Sequence, residues 1–304
     1  MTVYVVPCGL SALDQLGTKL PSGGTFARTI KQRAWLDGVN PDDGDAVVAS
    51  WMNEVAAKAK KAGLAKADSK RLSAETHSLT TRVKTKPPAP GEHVLLLASD
   101  TKDGLSAAFL VSQYLTGADL TQITYVSSPR SADDPFELKV TQSPVTVIRI
   151  RGLKPANTDF DVAAIGIGRA LRAATDTGET VEVHLTGGFK ATLLHTLAMT
   201  EVLQSMVPGR VTAWNVFEDV TESSSDQPAG LGRIGLRSFR REYLHSMRDE
   251  LSQIRKGGLS LGNRTFEDVC WTQAPDGSRR LNSFGFGYLA VLGEPSSALG
   301  DDNS

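Results

Sequence analysis

The chain has 304 residues with 33 basic and 34 acidic side chains, a formal net charge of −1. No global field therefore draws it to DNA or to an anionic membrane, and any nucleic-acid ligand has to be held by a local pocket. Two widely separated cysteines, Cys8 and Cys270, exclude a disulfide framework, and no apolar run approaches the length of a membrane span. The N-terminus carries no basic segment with a cleavage-like site, so the expectation is a cytoplasmic protein with no membrane partner, one main domain and a smaller one.

Thr2 to Val6 reads as a short apolar strand, followed by Pro7-Cys8-Gly9-Leu10-Ser11 and a helical start at Ala12. In a doubly wound sheet the loop after the first strand lies at the ligand crevice. Gly9 opens that turn, and Ser11 either points its hydroxyl into it or caps the next helix. Cys8 has no basic cluster near it in sequence and reads as a buried small hydrophobe rather than a nucleophile. Residues 20–45 are rich in Gly and Pro and irregular; helices are expected at Ala46 to Ala62 and Asp68 to Arg82, making a helical insertion at about 20–90. Its lysines (Lys58, Lys60, Lys61, Lys66, Lys70) form either a solvated face or part of an anion pocket. Lys86-Pro87-Pro88-Ala89-Pro90-Gly91 is a rigid connector.

His93 to Ala98 is a buried strand ending in Ser99-Asp100-Thr101-Lys102-Asp103-Gly104, with a helix from Leu105 to Leu115. Asp100 either accepts a ribose hydroxyl or an adenine amino group, or caps that helix. Strands follow at Ile123 to Val126 and Val145 to Ile150, then a helix at Val162 to Ala174. The most informative stretch is Val181-Glu182-Val183-His184-Leu185-Thr186-Gly187-Gly188-Phe189-Lys190-Ala191. A strand, a glycine pair and a helix in succession let backbone N–H groups meet an anion, with Thr186 adding a hydroxyl and Lys190 a cation. The Walker spacing is absent. Val211 to Phe217 reads as the last strand. The alternation predicts an α/β fold with a doubly wound, mostly parallel six-stranded sheet.

A linker is expected at 221–232. Beyond it come a helix at Leu236 to Arg255 with five arginines, a short helix at Thr265 to Trp271, a hairpin turn at Asp276-Gly277 and a closing segment at Leu281 to Leu289, in the expected order helix, helix, ribbon. This predicts a small C-terminal α+β winged-helix-like domain at 233–294, either a DNA contact or a dimer contact, and a disordered tail at 295–304. The five histidines and two cysteines show no H-x-x-x-H or C-x-x-C spacing, so no metal is expected. His184 and His195 flank the glycine turn at positions that packing explains.

Three blocks, Arg71-Leu72-Ser73-Ala74-Glu75-Thr76-His77-Ser78-Leu79, Leu96-Leu97-Ala98-Ser99-Asp100-Thr101 and Leu185-Thr186-Gly187-Gly188-Phe189-Lys190-Ala191, resemble the CRISPR-associated Rossmann-fold (CARF) proteins in content, order and separation. The branch they resemble is the stand-alone ring nucleases of type III CRISPR systems, and Leu281 to Leu292 is similar to the end of their winged-helix-like domain. The resemblance covers 1–220 and implies a Rossmann-like sheet and a homodimer that binds a cyclic oligoadenylate. Cyclic tetra-adenylate is favoured, because an isologous dimer matches its pseudo-two-fold symmetry. It also implies that Ser11 and Lys190 act on the ligand, without a cofactor or metal. Ligand contacts are expected from Gly9, Leu10, Ser99, Asp100, Thr101, Thr186, Gly187, Gly188 and Phe189. Two alternatives stay open: a non-catalytic sensor that regulates through a DNA-binding C-terminal domain, and a ligand-activated effector ribonuclease using Arg240 and His245.

Overall fold

The computed structural model describes residues 1–14, 44–61, 64, 72–83, 88–131, 133–154, 160–188, 190–216, 231–257 and 265–293. The irregular stretch at 20–43, Arg71, Phe189, the linker residues 221–230 and the tail 295–304, all named above, lie outside them.

The centre is a seven-stranded sheet of β1 (Thr2–Pro7), β2 (Glu92–Ser99), β3 (Ile123–Ser127), β4 (Val145–Ile150), β5 (Thr180–His184), β6 (Val211–Val216) and β7 (Leu231–Ile234), in the spatial order β3-β4-β2-β1-β5-β6-β7. The first six pair in parallel. Their residues are β-branched or leucine-rich, as strands buried on both faces require. Alternate residues of β1 show the two-sided burial: Val3 and Val5 join one core, Tyr4 and Val6 the other. The Tyr4 side of the sheet carries α1 (Gly44–Lys61), α2 (Ala74–Val83) and α3 (Lys102–Thr116); the Val3 side carries α4 (Phe160–Thr177) and α5 (Lys190–Met206). The fold is α/β and Rossmann-like.

One strand more is present than the six expected. β7 pairs antiparallel with β6, from Ala213↔Ile234 to Val216↔Leu231, so residues 231–232, read as linker, begin a strand. Leu-Gly-Arg-Ile is too short to show alternation. It becomes a strand because β6 offers an open edge.

The C-terminal segment runs helix, ribbon, helix: α6 (Arg241–Arg255), β8 (Trp271–Gln273) paired antiparallel with β9 (Arg279–Leu281), and α7 (Ser283–Leu292). The hairpin turn at Asp276-Gly277 is where the sequence puts it, with Gly277 at φ 81°. The expected helix at Thr265 to Trp271 is instead a set of turns leading into β8. Phe284-Gly285-Phe286-Gly287 alternates like a strand but is helical, started by Asn282, whose side chain accepts the Gly285 N–H at 3.0 Å. The glycines are there for close packing. A Cβ on Gly285 would lie 2.1 Å from the Cys270 carbonyl oxygen, and one on Gly287 would lie 1.9 Å from Met199 Cε. Leu244, Met247, Leu251, Trp271, Leu289 and Leu292 share one continuous core with Val3 and Val5 of the sheet. The C-terminal module is therefore built onto the α4/α5 layer. Among the described residues no helix is long and apolar enough to cross a membrane.

Candidate functional site

The chain leaves β1 towards its neighbour β2 and leaves β5 towards β6, so the connections diverge between the adjacent strands β1 and β5. Such a switch point opens a crevice at the carboxyl ends of the strands. Two of the expected loops meet there: a Cβ on Gly9 would lie 2.9 Å from the Gly188 backbone nitrogen. Gly188 has φ 106°, a conformation that favours glycine, and packs against Pro7 at the end of β1. The strand–glycine–helix corner is therefore formed as expected, with Lys190 as the first residue of α5. The side chains of Phe189 and Lys190 lie outside the described residues.

A residue given no role from the sequence fills the middle of this corner. Glu75, in the first turn of α2, is 1% exposed. Its Oε1 accepts the Gly9 N–H at 2.7 Å and its Oε2 accepts the Ser11 hydroxyl at 3.0 Å. The Ala74 N–H, one of the orphan donors at the start of α2, in turn donates to Ser11 Oγ at 3.3 Å. Gly187 is pressed against the same carboxylate: a Cβ there would sit 2.0 Å from Glu75 Oε1. Ser11, Gly9, Gly187 and Glu75 thus form one contiguous cluster. Among the described residues no ion pair reaches Glu75. Ser11 does not choose between its two expected roles in the expected way, since its described bonds run to α2 and not to the helix that follows it. Glu75 was legible only as an acidic residue in a helical first turn, which the helix dipole explains without a site.

The other expected ligand contacts divide. Leu10 is 44% exposed at the mouth of the crevice. Thr186 lends its hydroxyl to the framework, accepting the Val216 N–H at 3.2 Å. At the β2 end, Thr101 is the helix cap of α3, accepting the Gly104 N–H, while Ser99 Oγ lies 3.0 Å from Thr101 Oγ1. Asp100 is buried and engaged. It accepts Arg149 Nε at 2.6 Å and the Gly152 N–H at 3.1 Å, with Lys154 Nζ 3.8 Å away. These bonds tie the β2 and β4 ends together and use both carboxylate oxygens.

Burial, reinforced by the Glu75 charge, pushes the Cys8 thiol well up, so it is a neutral buried group. His184 lies beneath the glycine turn with Nδ1 2.6 Å from Ser78 Oγ, and burial, helped by Arg82, drops its pKa to about 3. His195 is packed between Phe160 and Phe284 with Nε2 3.0 Å from Ser283 Oγ. Among the described residues no three His, Cys, Asp or Glu side chains are grouped to hold a metal ion. In the C-terminal segment, Arg237 pairs with Glu201, Arg255 pairs with Asp133 and Arg248 is buried. Arg240 is the exposed N-cap residue of α6 and His245 is half-buried on its second turn.

Comparison with curated proteins gives no match. Residues 70–220 match a family described as CRISPR-associated protein (Cas_APE2256), a span that begins just before α2 and runs through β6. It takes in Glu75, Asp100 and the turn at 185–191, and starts after the loop that carries Ser11. Over that span the chain is similar to this family, and the similarity supports a CRISPR-associated protein.

Proposed function

We propose that the protein is a ring nuclease that binds a cyclic oligoadenylate, cyclic tetra-adenylate foremost, and opens it. The observation that carries this reading is the meeting of Ser11 and the Gly187-Gly188 turn at the β1/β5 switch point, with Lys190 opening the adjoining helix. A crevice of this kind suits a phosphodiester next to a ribose. The ribose 2′-hydroxyl attacks its own 3′-phosphate, the bond to the neighbouring 5′-oxygen breaks, and the linear product ends in a 2′,3′-cyclic phosphate. Orientation of the attacking oxygen and fixed charge on the phosphorane are the main contributions that the protein makes to such a step. Lys190 and the N–H groups of the glycine turn supply the charge, and Ser11 orients the sugar. Two copies related by a dyad present one such corner to each half of the ring.

The DNA-binding alternative draws its basic surface from the arginines of 237–255, of which Arg237, Arg248 and Arg255 are paired or buried. Incubation of the purified protein with cyclic tri-, tetra- and hexa-adenylate in chelator, followed by chromatography and mass spectrometry, tests the proposal. A linear product with a cyclic phosphate end is expected. Tight binding with intact rings would leave a sensor and refute the enzyme.

A further inference from the structure

A 2′-hydroxyl that attacks phosphorus has to lose its proton, and a proton acceptor is the one component the reading above lacks. From the geometry around Ser11, and resting on that reading, we infer that Glu75 is the proton acceptor of ring opening, working through the Ser11 hydroxyl. A serine hydroxyl has one hydrogen to donate and two lone pairs to accept with. At Ser11 the hydrogen points to Glu75 Oε2 and one lone pair takes the Ala74 N–H. Both directions are fixed, because a backbone N–H only donates and a carboxylate only accepts. Among the described residues nothing fills the second lone pair. Ser11 is therefore set up to receive a hydrogen bond from the ligand rather than to give one to a phosphate oxygen, and the ribose 2′-hydroxyl is the donor at hand.

Glu75 is suited to the far end of such a relay. It is buried, its other oxygen is held by the Gly9 N–H, and its carboxylate fills the space that a Cβ on Gly187 would occupy. A short, oriented path of this kind is what general-base catalysis requires. As the 2′-oxygen bonds to phosphorus, its proton passes to Ser11 Oγ while the Ser11 proton passes to Glu75 Oε2. The phosphorus–O5′ bond breaks, O5′ takes a proton from water, and Glu75 returns its proton to solvent. Glu75 touches no reacting atom. It positions the serine and receives the charge that the serine passes on.

The test is a kinetic cycle of wild type, Glu75→Gln, Ser11→Ala and the double variant on cyclic tetra-adenylate, with ligand affinity measured by calorimetry and folding by thermal melting. Glutamine keeps the shape but not the basicity. It should lower kcat by about 100-fold or more while Kd moves less than about threefold. Because both residues act in one relay, the double variant should be no slower than the slower single one. A Glu75→Gln rate within a few-fold of wild type, or losses that multiply in the double variant, would overturn the inference. If the glutamine variant failed to fold, a proton inventory of the wild-type enzyme in mixed light and heavy water decides. A bowed plot that becomes linear in Ser11→Ala supports two protons in flight; a linear wild-type plot rejects them. A wild type that opens no ring refutes the ring-nuclease reading itself. Wild-type turnover with an unaffected Glu75→Gln refutes the role of Glu75 alone.

Discussion

Substituting alanine for Gly187 adds one methyl group at the tightest point of the crevice. The new Cβ would lie 2.0, 2.5 and 2.8 Å from Glu75 Oε1, Cδ and Cγ, and these are its three nearest neighbours. No room exists for it unless the Glu75 side chain leaves. Overpacking of this kind costs about 1–3 kcal/mol. Expelling the carboxylate also strands the Gly9 N–H, worth about another 1–3 kcal/mol. Gly187→Ala should therefore lose about 2–6 kcal/mol, a large share of the roughly 5–15 kcal/mol that holds a typical domain together. The structure also says how the loss is shared, since Glu75→Ala deletes all three clashing atoms. Alone it costs about 1–3 kcal/mol for the stranded N–H; combined with Gly187→Ala it should cost little more than that. The pair should thus fall short of additivity by about the whole Gly187→Ala loss, about 2–6 kcal/mol. Urea unfolding of the four proteins at neutral pH measures every term. Additive losses would mean that the glycine turn and α2 are not in contact, and the crevice described here would have to be redrawn.

Three further outcomes are expected. Lys190→Ala should retain cyclic tetra-adenylate binding by calorimetry but slow ring opening about 100- to 1,000-fold by chromatography; unchanged turnover would remove Lys190 from the chemistry. In α7, Gly285→Ala meets a backbone carbonyl at 2.1 Å, whereas Gly287→Ala meets only the tip of Met199, which can rotate. Thermal melting should therefore rank Gly285→Ala well below Gly287→Ala, with about 1–3 kcal/mol lost in the former. His184 has a folded pKa of about 3 against an ordinary 6.5, so the unfolded chain binds its proton first as pH falls. Its contribution is complete above pH 6.5 and is lost as pH falls towards 3, about 2 kcal/mol having gone by about pH 5. Urea midpoints at neutral pH and about pH 5 should differ less in His184→Gln than in wild type.

The sheet was legible because buried parallel strands announce themselves: β2 carries an unbroken apolar run, β4 is rich in β-branched residues, and each is followed by polar or glycine-containing turns and an amphipathic helix. The glycine corner was legible for the same reason, since its chemistry is local to a few consecutive residues. Glu75 was not, because its meaning comes from Gly9 and Ser11, which stand 66 and 64 residues away in the chain. Nothing in Ser73-Ala74-Glu75 separates it from any other helix start. β7 and α7 were missed through tertiary override. A four-residue edge strand exists only by virtue of its neighbour, and Phe284-Gly285-Phe286-Gly287 has the period of a strand until the close approach of Cys270 and Met199 explains its glycines.

The continuity of one core from β1 to α7 has a consequence for how the molecule is made. Val3 and Val5 leave the ribosome early, yet the core they belong to also includes Leu289 and Leu292, which α7 adds only near the end of the fold. At ribosomal speeds of about 5–20 residues per second, that leaves this core incomplete for roughly 15–60 s. During this interval the central strand also waits for β5, its second hydrogen-bonding neighbour, nearly 180 residues downstream. Until then the nascent chain carries apolar surface and an unpaired strand edge, the features that holding chaperones shield.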